Sequence, residues 1–229
     1  MRQIVLDTET TGLSPNDGDR LVEIGCLEIV NQVATGNVFH RYINPERDVP
    51  KGAFDVHGLS QEFLRDKPKF AEVADEFLEF IGDAPLVIHN ASFDMGFLNA
   101  ELKRSGRTVL AFERAVDTLT IARRRFPGAQ NSLDALCRRF GVDNSNRVKH
   151  GALLDAELLA EVYLELMGGR QPGLVLDATL ETRKVEVIVV ERRVRPAALA
   201  PRLTAEELAA HDAFVATLGP DTLWKPSAD

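Results

Sequence analysis

Two carboxylates one residue apart close the first apolar segment of the chain. Ile4-Val5-Leu6 reads as a short buried strand that runs directly into Asp7-Thr8-Glu9-Thr10-Thr11-Gly12-Leu13. Side chains alternate along a strand, so Asp7 and Glu9 share one face and Thr8 takes the other. Two like charges this close repel unless a cation lies between them. Carboxylate oxygens suit the hard divalent ions Mg²⁺ and Mn²⁺. A strand that merely ends in a polar turn has the same local sequence, so this stretch alone leaves both readings open.

Two more acids interrupt apolar stripes of helical period. In a helix over residues 93–102, Asp94 falls on the face of Phe97 and Leu98. In the long helix that opens at His150-Gly151-Ala152 and runs to about Met167, Asp155 joins Leu158, Leu159, Val162 and Leu166. A carboxylate on a core-facing stripe is costly unless it is paired or beside a metal. Asp94 has an ordinary reading as a first-turn acid favoured by the helix dipole. Asp155 has one as an i, i+4 ion-pair partner, but positions 151 and 159 are glycine and leucine. Four such acids on converging elements are better explained by two divalent ions about 3.5–4 Å apart, which clamp the attacking and leaving oxygens of an in-line phosphoryl displacement. His150 lies about 140° round an ideal helix from Asp155, so it belongs in the preceding loop, where 146–151 lack apolar periodicity. There it can take a proton from the attacking water. By itself it would read as a surface histidine.

The elements that must position these groups follow from period and punctuation. Leu21 to Val30 reads as a second strand, Asn31-Gln32 as its turn and Val38 to Ile43 as the returning strand, stopped by Asn44-Pro45. Val56 to Ser60 reads as a loop that ends in a helix cap. Phe70, Val73, Ala74, Phe77, Leu78 and Ile81 make one apolar face of a helix over 70–81. Pro85 to Asn90 is another short strand, and helices follow over 117–126 and 132–140, the second with Asn131 as its cap. A strand meander followed by alternating helices and strands argues for an α/β fold with a mixed sheet. The composition then changes at Gly168-Gly169-Arg170-Gln171-Pro172-Gly173, which is linker chemistry. Beyond it lie a β-branched run (Val185 to Val190), the stretch Arg195 to Pro201 and a helix whose Thr204 and Glu207 have capping-box spacing. The expected division is a catalytic domain over 1–169 and a linker and tail over 170–229.

Composition narrows the classes. With 45% hydrophobic residues, 229 residues can bury one good core. A net charge of −8 is unlike a general nucleic-acid coating protein, although a carboxylate-rich metal site accounts for part of the acidity. Cys26 and Cys137 match no metal-ligand spacing and read as buried thiols in a reducing compartment. No apolar run reaches about 18 residues, and Asp7 argues against a signal peptide, so no membrane association and a cytoplasmic location are expected.

The segments 7–12, 89–94 and 150–155 resemble, in order, the three exonuclease motifs of the DEDD superfamily, and the His150-x₄-Asp155 spacing resembles its histidine subclass. Val56-His57-Gly58-Leu59, residues 66–77, Phe126-Pro-Gly, residues 131–137, Asp143-Asn-Ser145 and residues 159–163 resemble the epsilon proofreading subunits of bacterial DNA polymerase III. The resemblance implies a ribonuclease-H-like mixed sheet flanked by helices, followed by a flexible linker and a partner-binding tail. It implies removal of 3′-terminal nucleotides from DNA and release of 5′-mononucleotides. Asp7, Glu9 and Asp155 would then hold one Mg²⁺ or Mn²⁺. Asp7 would also reach a second, with Asp94 acting through water and His150 as general base. The Thr10–Leu13 turn, His57 and Phe93, with Asp7, Glu9 and Asp155, would meet the terminal nucleotide. Residues 200–229, chiefly Leu203 to His211 and Leu223-Trp224, would bind the polymerase catalytic (alpha) subunit. Gln171 to Leu176 resembles a weak sliding-clamp peptide. A free-standing exonuclease for RNA ends shares the active-site motifs but has no obvious need of the tail, and a non-catalytic binding module would be expected to have lost a ligand.

Overall fold

The computed structural model describes residues 1–145, 147, 149–169 and 203–218. The chain divides into two units, Met1–Val175 and Leu176–Asp229. In the first, strands β1 (Arg2–Thr10), β2 (Leu21–Val30), β3 (Val33–Tyr42), β4 (Leu86–Ile88) and β5 (Ala115–Asp117) form one mixed sheet in the order β3-β2-β1-β4-β5. The first three are an antiparallel meander, while β4 lies parallel to β1 and β5 parallel to β4. Asn31 and Gln32 both have positive φ, 51° and 67°. That is the two-residue hairpin geometry whose twist matches its flanking strands.

Among the differences from the expectation are two strands of the sheet. β3 begins at Val33, not Val38, because Val33 to Val38 are exposed and pair through the backbone without a buried face to betray them. β5 escapes notice because three residues are too few for alternation to be read.

Helices cover both faces. Ile4 and Leu6 of β1 pack on α3 (Phe70–Ile81) and α4 (Ala91–Arg104), whereas Val5 packs with α5 (Thr118–Arg125), α6 (Leu133–Phe140) and α7 (Ala152–Leu166). The α3 stripe is the expected one, with Phe70, Val73, Ala74, Phe77 and Ile81 buried. Two short helices, α1 (Lys51–His57) and α2 (Gln61–Arg65), fill the β3–α3 connection. Val56 and His57 therefore end a helix instead of lying in a loop. Ser60 caps α2, its hydroxyl accepting from the Phe63 N–H at 3.1 Å. The cap of α6 is Ser132, not Asn131, since the Ala135 N–H donates to Ser132 Oγ. The Asn131 amide instead donates to the Phe126 and Ala129 carbonyls and braces the preceding loop. Cys26 and Cys137 are buried free thiols.

In the second unit, α8 (Ala205–Thr217) opens with the expected capping box: the Glu207 N–H donates to Thr204 Oγ1 and the Thr204 N–H to Glu207 Oε2. Leu203, Leu208, Phe214 and Leu218 are exposed. Gln171 to Leu176, Val185 to Val190, Arg195 to Pro201 and Leu223-Trp224, singled out in the sequence, lie outside the described residues. Among the described residues, no helix is long and apolar enough to cross a membrane.

Candidate active site

The carboxyl end of β1 supplies the first two acids. Strand alternation sends Asp7 and Glu9 toward the α7 face, and Thr8 toward α4. Thr8 Oγ1 donates to Asp94 Oδ1 at 2.7 Å, both groups buried. Asp94 sits in the first turn of α4, which starts from Asn90 in the left-handed region, φ 67°. That turn is held by Asp117 at the end of β5, whose Oδ1 accepts from the Asn90 and Leu119 N–H groups at 3.1 and 3.0 Å. The parallel strands thus end side by side and present Asp7, Glu9 and Asp94 together. A crevice beyond strand carboxyl ends is the usual site in open α/β sheets.

Asp155 arrives from α7 through a close backbone approach. Gly25 pairs with Asp7 across β1 and β2. A Cβ on Gly25 would stand 2.3 Å from both the Ala152 carbonyl carbon and the Leu153 nitrogen. Only glycine lets the first turn of α7 lie this near the sheet, which is a recognised use of glycine within a strand. The Asp155 N–H donates to the Gly151 carbonyl at 2.8 Å, so the acid lies one turn inside the helix.

His150 is in the loop before α7, with its N–H on the Val56 carbonyl at 3.2 Å and its Nδ1 3.2 Å from Asp155 Oδ2. Asp155 is not partnerless, as helical spacing had suggested. Arg147 forks onto it, Nε to Oδ1 and Nη2 to Oδ2, both at 2.5 Å. Helical spacing could not reveal this partner because it comes from a loop, across a turn with no periodic signature.

Asp7, Glu9, Asp94, Asp155, His150 and Phe93 line one cleft of about 880 Å³, together with Arg123, Asp134 and Arg147, which the sequence had not singled out. Thr10, Leu13 and His57 do not line it. Thr10 is buried with its hydroxyl on the Gly12 carbonyl, and Leu13 is 86% exposed. The turn between them is braced by Asp19, which accepts from Thr11 Oγ1 and the Ser14 N–H. His57 is buried; its Nδ1 accepts from the Leu59 N–H, and its Nε2 meets the geometric criteria for a hydrogen bond with none of the described residues.

The electrostatics are those of a site short of positive charge. Burial, then the charges of Asp94, Glu9 and Asp155, raise Asp7 well above the usual carboxylate range. Burial, then Asp155, Glu23 and Asp94, push Glu9 up to about 8. Burial lifts Asp94 to about 7 against the opposing hydrogen bond from Thr8. Of these four acids Asp155 alone is lowered: burial pushes it up, but His150 and Arg147 beside it outweigh that. Glu9, His150 and Asp155 each offer a ligand atom, all within 4.8 Å of one another. Hard oxygen donors with one imidazole and unrelieved negative charge fit a divalent cation.

The exonuclease family profile matches residues 4–163. The DNA polymerase III subunit epsilon of Rickettsia felis is 53% identical over 222 residues, covering 95% of this chain and 97% of that protein. The chain belongs to the epsilon subunits of DNA polymerase III. The Escherichia coli K12 epsilon subunit is 48% identical over 237 residues, with 98% and 97% coverage. Among solved structures, exonuclease X in complex with 5′-overhanging duplex DNA matches with a TM-score of 0.57 at 25% identity, over 72% of this chain and 90% of that one. The nuclease domain of 3′hExo, a DEDDh family member bound to rAMP, matches with a TM-score of 0.63 at 16% identity, over 72% and 91%, a likeness of fold. The ribonuclease-H-like sheet and the DEDD assignment are therefore established. As a member of this family the protein is a 3′-to-5′ exonuclease acting on DNA.

Proposed function

We propose that the protein is the proofreading component of a replicative polymerase, removing mismatched 3′-terminal nucleotides from DNA as 5′-mononucleotides. The observation that carries this reading is the convergence of four acids from three elements, with His150, in one cleft. Asp7, Glu9 and Asp155 would hold one cation, Mg²⁺ or Mn²⁺, and Asp7, with Asp94 acting through water, would hold a second. When bound, the cations compensate the charge on the attacking and leaving oxygens of the in-line displacement. Thr8 fixes the carboxylate of Asp94, Gly25 sets the depth of Asp155, and His150 takes the proton of the attacking water. Phe93, tilted 49° against Phe97 with ring centroids 5.0 Å apart, offers a face for a base inside the cleft. Leu13, the Thr10–Leu13 turn and His57 would meet the terminal nucleotide.

Residues 1–169 form the catalytic domain and 170–229 the linker and tail. The exposed apolar residues of α8 support docking of residues 200–229 on the polymerase alpha subunit, as Trp224 would. Gln171 to Leu176 would touch the sliding clamp, and the assembly works in the cytoplasm. The test is release of mononucleotides from 3′-labelled single-stranded DNA in Mg²⁺. Asp7→Ala should lose several powers of ten, and His150→Ala about 10²–10⁴ with cation binding retained. A near-normal rate for Asp7→Ala would overturn the site.

A further inference from the structure

Arg147 lies among the acids of the cleft and is held on three sides. Its Nε and Nη2 take both oxygens of Asp155, its Nη1 donates to Asp134 Oδ1 at 2.6 Å, and its Nη2 lies 2.7 Å from His150 Nδ1. The side chain is 7% exposed and that of Asp155 3%. A fork on both oxygens takes about half the lone pairs of a buried carboxylate and sets a positive charge where a metal ion would sit. Yet Asp155 is one of the three residues whose ligand atoms converge, and the other two, Glu9 and His150, border the same guanidinium. Arginine and cation thus compete for the same oxygens.

We propose that Arg147 is a built-in placeholder that holds Asp155 and His150 in the metal-free protein and is displaced from Asp155 when a divalent cation enters. Asp134 is its second anchor. It sits in the first turn of α6 and is half-exposed, so it can keep the guanidinium near the cleft after Asp155 lets go. The arrangement relieves the buried acids, at the cost of weakening the site for a cation. It also couples the two halves of the chemistry. The contact that occupies Asp155 occupies His150 Nδ1 as well, so cation entry and release of the histidine are one event.

The inference rests on the reading of Asp155 as a metal ligand, and its test separates the two. Mn²⁺ binding is measured by electron paramagnetic resonance on the full chain, for the wild type, Arg147→Gln, Arg147→Lys and Asp155→Asn. Arg147→Gln should bind Mn²⁺ at least about fivefold more tightly, the lower end of coupling between two binding events. It should also melt at a lower temperature in EDTA, because it leaves Asp155 buried without its guanidinium partner. Arg147→Lys, which keeps the charge but not the fork, should also bind more tightly than the wild type. In the wild type, the Arg147 Nε–H resonance, assigned by its loss in Arg147→Lys, should shift as Mg²⁺ is added. If Arg147→Gln binds Mn²⁺ no more tightly, or Arg147→Lys matches the wild type so that charge alone matters, the placeholder is refuted. A resonance unmoved at saturating Mg²⁺ refutes it too. Wild type that binds no Mn²⁺, or Asp155→Asn that binds as the wild type does, would instead overturn the site itself.

Discussion

Gly25→Ala tests how α7 is placed, using a residue with no chemistry of its own. The added methyl would lie 2.3 Å from main-chain atoms of Ala152 and Leu153, where ordinary contact begins at 3.4 Å. Backbone cannot rotate aside as a side-chain tip can, so the first turn of α7 must withdraw from β2 by about 1 Å. Asp155, one turn further on, moves with it, away from Asp7 and Glu9. A misplacement of about 1 Å in a catalytic constellation costs about 10²-fold in rate. Overpacking of this kind costs about 1–3 kcal/mol of stability. In a domain of this size that lowers Tm by roughly 2–4 °C per kcal/mol, which leaves a folded protein to assay. The assay is single-turnover release of the 3′-terminal nucleotide from single-stranded DNA across a Mg²⁺ titration, with melting curves alongside. The variant should be at least about 10²-fold slower and should need more Mg²⁺. Gly96→Ala is the control: a Cβ there meets nothing within 4 Å, and in the helix interior it should be neutral or stabilise by up to about 1 kcal/mol. A Gly25→Ala protein with wild-type rate and Mg²⁺ dependence would show that the close approach does not set the position of Asp155.

Thr8→Val keeps the shape of the side chain and removes the donor to Asp94, a hydrogen bond to a charged group worth about 1.5–3 kcal/mol. Turnover should fall about 10–100-fold with the fold intact, and a wild-type rate would remove Thr8 from the site. The metal-free protein should lose stability as pH rises from about 6.5 to 8. A carboxyl raised above its unfolded value, as Glu9 is to about 8, favours the fold while protonated and opposes it as it ionises. The lowered histidines His57 and His89 act in the other direction, but only below the ordinary histidine range. Glu9 alone makes the loss roughly 1–2 kcal/mol over that window. Melting in EDTA against melting in Mg²⁺ reads it directly, and a Tm that rises with pH in EDTA would contradict the burial of Glu9. A chain ended near Gly169 should cleave single-stranded DNA at close to the full-length rate but no longer co-elute with the polymerase catalytic subunit on gel filtration. Undiminished co-elution would place that contact on the catalytic domain.

Much of the frame was legible in one dimension because burial imposes a period. The α3 stripe, the β2 strand, the α8 capping box and the two misplaced acids on α4 and α7 each announce themselves within a dozen residues, since one face must meet a core. The alternation that separates Asp7 and Glu9 from Thr8 is of the same kind. What the pattern does not hold is anything that depends on two segments meeting. The exposed start of β3 has no buried face, and the three residues of β5 are too short to show one. Ser132, not its neighbour Asn131, caps α6, a choice made by backbone direction at a single residue. The need for Gly25 appears only when α7 is laid against β2, and Thr8 finds Asp94 only when α4 follows β4 into place beside β1. Arg147 reaches Asp155 from a loop, at a spacing that belongs to no regular element. Period is set by each segment against an apolar interior, whereas these contacts are set by how segments lie against one another, and that is decided only in the folded chain.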